Sequence, residues 1–272
     1  RNRRRKALIM SDKLLLWSDE FDGSAGDSVN PKFWNFDLGD GTAAGIPGWG
    51  NQEREWYLAE QAKLSGDSEL IITAERNSEA NAYPAYYGEP AEWLSSKLTT
   101  KNKVEVQYGL IEARVKIPSG VGTWPAFWML GNNLDEDTWP LCGEIDILEA
   151  RGSDSANLVA TLHGPGYSGE FGCGKEWRTP VSMKDDFHTF AVEWLPDSIT
   201  WLFDGHPFSR KIRADVSPNQ WVFDHPFYII TNLAMGGGFT GAIDPALERA
   251  EMILDYVRVY SINGVGEVFI KI

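Results

Sequence analysis

The sequence predicts an all-β protein, either a two-sheet sandwich or a jelly roll, folded as a single domain. Three observations support this prediction. Short runs rich in β-branched and aromatic residues recur along the chain, turn signals separate them, and long amphipathic helical stretches are missing. The chain has 272 residues, of which 43% are hydrophobic, so it can bury a sizeable core.

Six runs carry the clearest strand pattern, and they are spread over most of the chain. They are Leu70–Ala74, Gly109–Ile117, Phe187–Trp194, Ser198–Phe203, Phe227–Leu233 and Met252–Tyr260. We also predict that an early apolar run, Leu14–Trp17, pairs with Met252–Tyr260. On this basis residues 13–262 form the domain, residues 1–12 form a basic tail, and residues 263–272 form a C-terminal extension.

Charge and cysteine content limit the partners that this chain can have. A formal net charge of −14 argues against nucleic acid and against an anionic membrane, and it is compatible with a neutral polysaccharide. The chain contains no apolar run of about 18 residues that would span a bilayer. Cys142 and Cys173 could form one disulfide or remain two free thiols, and the sequence leaves both alternatives open.

The segment Glu144–Glu149 carries three carboxylates, interleaved with isoleucine and leucine. β-Branched residues favour a strand, in which Glu144 and Asp146 share one face while the isoleucines take the other. Plain alternation would bring Leu148 to the acidic face and turn Glu149 away. One extra residue, a β-bulge, returns Glu149 to that face. We therefore predict a bulged strand with three acids on one side.

Three acids on one face suit the cleavage of a glycosidic bond, which needs two carboxyl groups with different tasks. One protonates the leaving oxygen, and the other attacks the anomeric carbon or activates water. Asp146 lies between the two glutamates, and its charge would raise the pKa of a neighbouring glutamic acid. The alternatives are an acidic strand edge or a calcium site. The apolar neighbours and the nearby tryptophans favour the catalytic interpretation.

Several stretches, including this acidic one, resemble a known family. They are Trp17–Gly23, Gly48–Glu53, Trp124–Leu130, Glu144–Glu149, Thr161–Tyr167 and Asp255–Tyr260. Together they resemble glycoside hydrolase family 16, from about Leu14 to Tyr260, and most of all the bacterial laminarinases, which are endo-1,3-β-glucanases. The resemblance implies a curved β-jelly-roll sandwich of two antiparallel sheets with a concave substrate cleft. It also implies endo-acting hydrolysis of β-1,3-glucan that needs no cofactor for catalysis.

The resemblance assigns a role to each acid. Glu144 is the nucleophile of a retaining double displacement, Glu149 is the general acid and then the general base, and Asp146 tunes their protonation. Lichenases and xyloglucan-modifying members lack the extra residue at Leu148, whereas agarases share it. The extra residue therefore does not exclude agarose as a substrate. Mixed-linkage β-glucan also stays open as an alternative substrate. A non-catalytic β-glucan-binding module is the alternative from another class, although recognition proteins of this kind lack the catalytic glutamates.

The resemblance also indicates a set of substrate-binding residues. They are Asn51, Lys97, Trp124, Trp128, His163 and Asn232. Trp124 and Trp128 are four residues apart on one strand face, where they would stack on sugars or, alternatively, fill the core. Lys97 stands where laminarinases often carry arginine, and a lysine offers a point charge without the bidentate fork.

A structural calcium ion is a further implication of the resemblance. Asp255 occupies the matching position in the last strand, with Glu20 and Gly66 as companions on the convex side. The same resemblance predicts a secreted, monomeric protein that acts on a polysaccharide.

Overall fold

A computed structural model describes residues 12–79 and 81–271, so all but one residue of the predicted basic tail lie outside the described part. Within these ranges the chain forms nineteen strands. They are β1 (Lys13–Asp19), β2 (Asn35–Asp37), β3 (Glu55–Tyr57), β4 (Ala62–Leu64), β5 (Leu70–Arg76), β6 (Trp93–Ser95), β7 (Lys97–Thr99), β8 (Val104–Gln107), β9 (Gly109–Lys116), β10 (Thr123–Gly131), β11 (Glu144–Arg151), β12 (Asp154–His163), β13 (Cys173–Arg178), β14 (His188–Leu195), β15 (Ser198–Phe203), β16 (His206–Ile212), β17 (Phe227–Met235), β18 (Arg249–Ile262) and β19 (Glu267–Ile270).

Helices are few and short among the described residues. One α-helix covers Arg213–Val216, and 3-10 turns cover Thr42–Ala44, Pro47–Gly50, Ala59–Gln61 and Gly169–Phe171. No helix in the described ranges has the length and apolar character needed to cross a membrane.

The strands form two sheets, which confirms the predicted jelly-roll sandwich. The first sheet runs in the order β16-β15-β14-β9-β18-β5-β6-β3, with β1 added to β18 and β4 to β5. The second runs β13-β12-β11-β10-β17-β7-β2, with β8 also on β17 and β19 on β8. The strand pairings among the described residues are antiparallel except for β3 with β6, which are parallel. All six predicted runs coincide with strands to within one residue at either end, and β1 pairs with β18 as predicted.

The segment predicted to be a C-terminal extension is instead part of the fold. Strand β19 pairs with β8, placing Val268 opposite Val106. Val268 is partly buried and packs against the main core. The two cysteines are free thiols, with Cys142 buried and Cys173 partly buried, so the disulfide alternative is wrong.

Strand β11 contains the predicted bulge. Its partner β10 pairs Phe127 with Leu148 and Trp128 with Asp146, so Ile147 is the residue without a place in the register. The pairing with β12 shifts in the same stretch. Ile147 and Leu148 are both buried in the core between the sheets, with 1% and 0% of their surface exposed. Two consecutive side chains therefore point inward. Beyond them the strand resumes its alternation, shifted by one residue, so that Glu149 points outward.

The bulge is fastened to the opposite sheet by a hydrogen bond across the core. The indole Nε1 of Trp201, on β15, donates to the backbone carbonyl oxygen of Asp146 at 2.7 Å. Trp201 is fully buried. Because a bulge disrupts the regular ladder beside this carbonyl, the indole supplies a donor at the point where the acids leave the regular register.

Trp201→Phe should therefore lower the free energy of unfolding by about 1–3 kcal/mol more than a matched tryptophan replacement, because it leaves the Asp146 carbonyl without this donor. Trp93→Phe is the matched control, since Trp93 is equally buried but its Nε1 has no partner among the described residues. Urea unfolding of both variants measures the difference. Equal losses would mean that the indole hydrogen bond does not stabilise the bulge.

Candidate active site

The three acids of β11 lie together on the outer face of the second sheet. The carboxyl groups of Glu144 and Glu149 are both near enough to that of Asp146 to raise its pKa. Ligand atoms of Glu144, Asp146 and His163 all lie within 4.8 Å of one another. The bulge thus brings Glu149 back to the side of the other two acids, as the sequence predicted. The inner face of the same strand carries Ile145, which is fully buried.

Each acid has its own hydrogen-bond partner. Trp139 Nε1 donates to Glu144 Oε2 at 2.6 Å, from the loop that leads into β11. Trp124 Nε1 donates to Glu149 Oε1 at 3.1 Å, from the neighbouring strand β10. His163 Nε2 lies at hydrogen-bond distance, 2.9 Å, from Asp146 Oδ2. These contacts hold the carboxyl groups in place.

Burial and like charge keep protons on two of the acids. Burial raises the pKa of Asp146 well above its usual value, and the charges of Glu144 and Glu149 raise it further. Burial is also the largest cause that raises the pKa of Glu149 to about 8, followed by the charge of Glu144. Coupled groups titrate together, so these pKa values describe the cluster as a unit.

Asp146 is the most deeply buried of the three acids. It is only 1% exposed, and burial favours its neutral form, so its pKa is raised well above the usual value. Its effect on the pKa of a neighbouring glutamic acid stays a prediction, because the acids titrate as one coupled cluster.

Trp124 lies at the site, but its ring is largely covered. Only 9% of its surface is exposed, because Phe239 stacks on it with ring centroids 4.7 Å apart. The guanidinium of Arg151 lies 3.9 Å from the Phe239 ring centroid, and its Nε donates to the Phe239 carbonyl oxygen. The Trp124 ring therefore has little free surface on which a sugar could stack as predicted. The indole N–H of Trp124 is directed at Glu149.

Three of the predicted substrate-binding residues form a second group beside the acids. Trp128 is the cross-strand partner of Asp146, and its Nε1 donates to Asn232 Oδ1 at 2.8 Å. Lys97 Nζ lies 5.4 Å from the Trp128 ring centroid and 4.1 Å from that of Trp49. These residues and the three acids thus occupy adjoining positions on one outer face of the second sheet.

The other contacts of this group come from its edge. Lys97 forms an ion pair with Asp37 at 3.2 Å, from the edge strand β2. Asn51 is exposed on a loop, where its Nδ2 donates to the Trp49 carbonyl oxygen at 3.2 Å and its own carbonyl accepts from Gly238. Asn51 is thus placed at the rim, next to the strands that carry Lys97 and Asn232.

Sequence reasoning missed several residues of the site. Trp139, Phe239 and Asp37 were not predicted, and Trp49 was noted only as part of a motif. Trp139 could have been found from its position five residues before Glu144 in a tryptophan-rich stretch. Phe239 and Asp37 reach the site through loop and edge-strand placement, for which the local sequence has no signal.

The residues predicted for calcium do not fit side-chain coordination. Both Glu20 carboxylate oxygens accept from Arg258, at 2.9 and 2.8 Å, and Asp255 pairs with Arg114 at 2.7 Å. Gly66 packs against Ala25 and offers only its backbone. Calcium prefers several oxygen ligands that include carboxylates. In this structure arginine side chains contact the carboxylates of Glu20 and Asp255 that the prediction assigned to the ion.

The chain is similar to known proteins along most of its length. A family model described as glycosyl hydrolases family 16 matches residues 51–258. A β-glucanase of Rhodothermus marinus is 37% identical, over 90% of this chain and 84% of that protein. The catalytic domain of an endo-1,3-β-glucanase (laminarinase) from Thermotoga petrophila RKU-1 has a TM-score of 0.87 and 41% identity, covering 94% of this chain and 100% of the other. An endo-β-1,3-glucanase from Pyrococcus furiosus has a TM-score of 0.86 and 42% identity, covering 92% and 95%.

Proposed function

Because the chain belongs to glycosyl hydrolase family 16, we propose that it is an endo-acting β-1,3-glucanase that cleaves with retention of configuration. One observation carries the proposal: the bulged strand β11 places Glu144, Asp146 and Glu149 on one sheet face, where ligand atoms of Glu144 and Asp146 lie within 4.8 Å of each other. This arrangement suits the nearby pair of carboxyl groups, about 5–5.5 Å apart, that retaining enzymes use.

Glu144 and Glu149 divide the reaction between them. Glu144 attacks the anomeric carbon while the proton of Glu149 passes to the glycosidic oxygen, which leaves with the reducing-end fragment. The product of this step is a glycosyl ester on Glu144. Glu149, now a carboxylate, takes a proton from water, and the resulting oxygen attacks the same carbon and releases Glu144. Two inversions give net retention.

The neighbouring residues support these roles. Glu149 has its pKa raised to about 8, so it holds a proton near neutral pH as a general acid must. The Trp139 indole orients Glu144, and the Trp124 indole orients Glu149. Asp146 lies between the two glutamates along β11 and is itself held by His163. We assign Asp146 the task of keeping the two catalytic carboxyl groups close together.

Substrate contacts follow the outer face of the second sheet. Trp128 is partly exposed and offers ring surface to a sugar, while Asn232 and Lys97 offer hydrogen-bond donors beside it. Asn51 at the rim and His163 beside the acids complete the predicted set. The net charge of −14 favours a neutral glucan over a sulfated polysaccharide.

Secretion and a monomeric state are also part of the proposal, since a polymeric glucan is met outside the cell and the cleft is formed by one chain. Calcium has no part in the proposed reaction. At Glu20, Gly66 and Asp255 it stays a prediction that relies on backbone carbonyl oxygens. A melting temperature unaffected by EDTA would exclude it.

Glu144→Gln and Glu149→Gln should each lower the rate of laminarin hydrolysis at least about a thousandfold, because each removes a group that the chemistry requires. Glu60→Gln is the control, since Glu60 is exposed and distant from the acids in sequence. Chromatography of products from laminarin, lichenan, agarose and xyloglucan identifies the preferred linkage. Full activity in either site variant, or preferred cleavage of agarose, would contradict the proposal.

The pH profile provides a second test. The value of kcat/KM on laminarin should fall about tenfold per pH unit above pH 8, because Glu149 then loses the proton that it must donate. Circular dichroism over the same range checks that the protein stays folded. A fall that begins near pH 5, in folded enzyme, would show that Glu149 does not act as the acid.

A further inference from the structure

A phenylalanine covers Trp124, the residue whose indole group donates to the proposed general acid. Phe239 lies on the loop between β17 and β18, and its ring stacks on that of Trp124 with centroids 4.7 Å apart and planes inclined by 29°. The indole Nε1 of Trp124 donates to Glu149 Oε1 at 3.1 Å. Two contacts therefore connect Phe239 to Glu149, and the proposed reaction gives Phe239 no task.

The loop that carries Phe239 is fastened on both sides of it. Before it, the Gly238 N–H donates to the Asn51 carbonyl oxygen at 2.9 Å, and after it the Gly241 N–H donates to the Gly237 carbonyl oxygen at 2.9 Å. Gly237 has a φ of +89°, and a Cβ atom there would lie 2.6 Å from the Asn51 carbonyl oxygen. The close approach of the loop to the cleft rim therefore requires glycine, and it fixes where Phe239 leaves the backbone.

Arg151 holds the same phenylalanine from the end of β11. Its guanidinium carbon lies 3.9 Å from the Phe239 ring centroid, and its Nε donates to the Phe239 carbonyl oxygen at 2.8 Å. Its Nη1 donates to Glu176 Oε1 on β13 at 3.1 Å. A planar guanidinium has several donors in a rigid fork, so one side chain can lie against the ring and bond to its backbone together.

Stacking by Phe239 limits the rotation of the Trp124 side chain, which is 9% exposed. The Trp124 indole N–H makes one hydrogen bond among the described residues, that to Glu149. A ring that could turn away would break this bond and leave Glu149 without the donor. Because the indole donates to Oε1, it favours Oε2 as the oxygen that carries the proton of the neutral carboxyl group.

We infer that Phe239, held by Arg151, is a positioning residue that fixes Trp124 and, through it, the orientation of Glu149 as the general acid. This inference rests on the proposed glucanase function. The positioning acts on proton transfer to the glycosidic oxygen, since Trp124 donates to the proposed acid, whereas the other indole of the site, that of Trp139, donates to the proposed nucleophile.

The positioning of an acid affects only those leaving groups that need its proton. The sugar oxygen that leaves during cleavage of laminarin is a strong base and needs the proton of Glu149. A 2,4-dinitrophenolate is stable as an anion and leaves without a proton. The value of kcat/KM reports the step in which the leaving group departs, so comparison of the two substrates isolates the contribution of the acid.

The test compares Phe239→Ala and Arg151→Lys with wild type on laminarin and on 2,4-dinitrophenyl β-laminaribioside. On laminarin, kcat/KM should fall at least about tenfold in Phe239→Ala and about threefold in Arg151→Lys, which keeps the charge but loses the planar fork. On the aryl glycoside, kcat/KM should stay within about twofold in both variants. Phe239→Tyr keeps the stacked ring and should retain wild-type rates on both substrates.

The first sheet provides a matched control outside the site. The Arg114 guanidinium carbon lies 4.8 Å from the ring centroid of Phe187, and Arg114 also pairs with a carboxylate, that of Asp255. Phe187 is partly exposed, as Phe239 is. Phe187→Ala and Arg114→Lys should therefore leave kcat/KM within about twofold of wild type on both substrates. A selective loss on laminarin in these controls would overturn the inference.

The route through Trp124 is tested by removing its N–H group. Trp124→Phe keeps a ring without the donor, and it should lower kcat/KM on laminarin while the rate on the aryl glycoside is preserved. In the double variant of Phe239→Ala with Trp124→Phe the two losses should not multiply, because both substitutions remove the effect of one hydrogen bond. Losses that multiply would mean that Phe239 does not act through Trp124.

The outcomes separate the two claims. An active wild type whose Phe239→Ala variant keeps its rate on laminarin, or loses the same factor on both substrates, overturns the positioning role and leaves the glucanase function standing. A raised KM with unchanged kcat would overturn it too, because Phe239 would then contact the substrate. A wild type without activity on laminarin overturns the glucanase function, and the positioning role with it. If circular dichroism shows that Phe239→Ala does not fold, Arg151→Lys decides the matter, since it leaves both rings in place.

Discussion

The β-bulge at Ile147 and Leu148 is the constraint on which the site depends. Two apolar side chains enter the core in succession, and the strand must therefore present Glu149 on the same outer face as Glu144. Trp201 fastens this irregular point from the opposite sheet by donating to the Asp146 carbonyl. The geometry of the acids is thus set by core packing on the opposite face of their own strand. A shift of the strand register by one residue would bury a carboxylate in the core.

The three acids are crowded on a partly buried face, and this crowding favours their protonated forms, which the proposed general acid requires. Close carboxyl groups cannot all ionise, so Asp146 and Glu149 retain protons at a pH where exposed acids would lose them. Indole and imidazole groups then fix which oxygen faces which neighbour.

Much of this arrangement could be predicted from sequence. The strand runs and the outward face of the acids follow from side-chain alternation, and the bulge follows from the one residue by which Glu149 breaks that alternation. Other features depend on contacts between distant segments. Phe239 covers Trp124 from a glycine-rich loop, Trp139 reaches Glu144 from the preceding loop, and β19 completes a sheet edge. The arginine partners of Glu20 and Asp255 are equally remote, and burial, which raises the pKa of Asp146, is a property of the folded chain.

A short distance between the two glutamates is the central claim, and the stereochemistry of the reaction depends on it directly. Proton NMR of a laminarin digest in its first minutes reports the anomeric configuration of each new reducing end before mutarotation. A separation of about 5–5.5 Å predicts that the β-anomer appears first. Initial release of the α-anomer would mean that water attacks from the opposite side, which requires the carboxyl groups to lie about 6.5–9.5 Å apart and would contradict the geometry of the bulged strand.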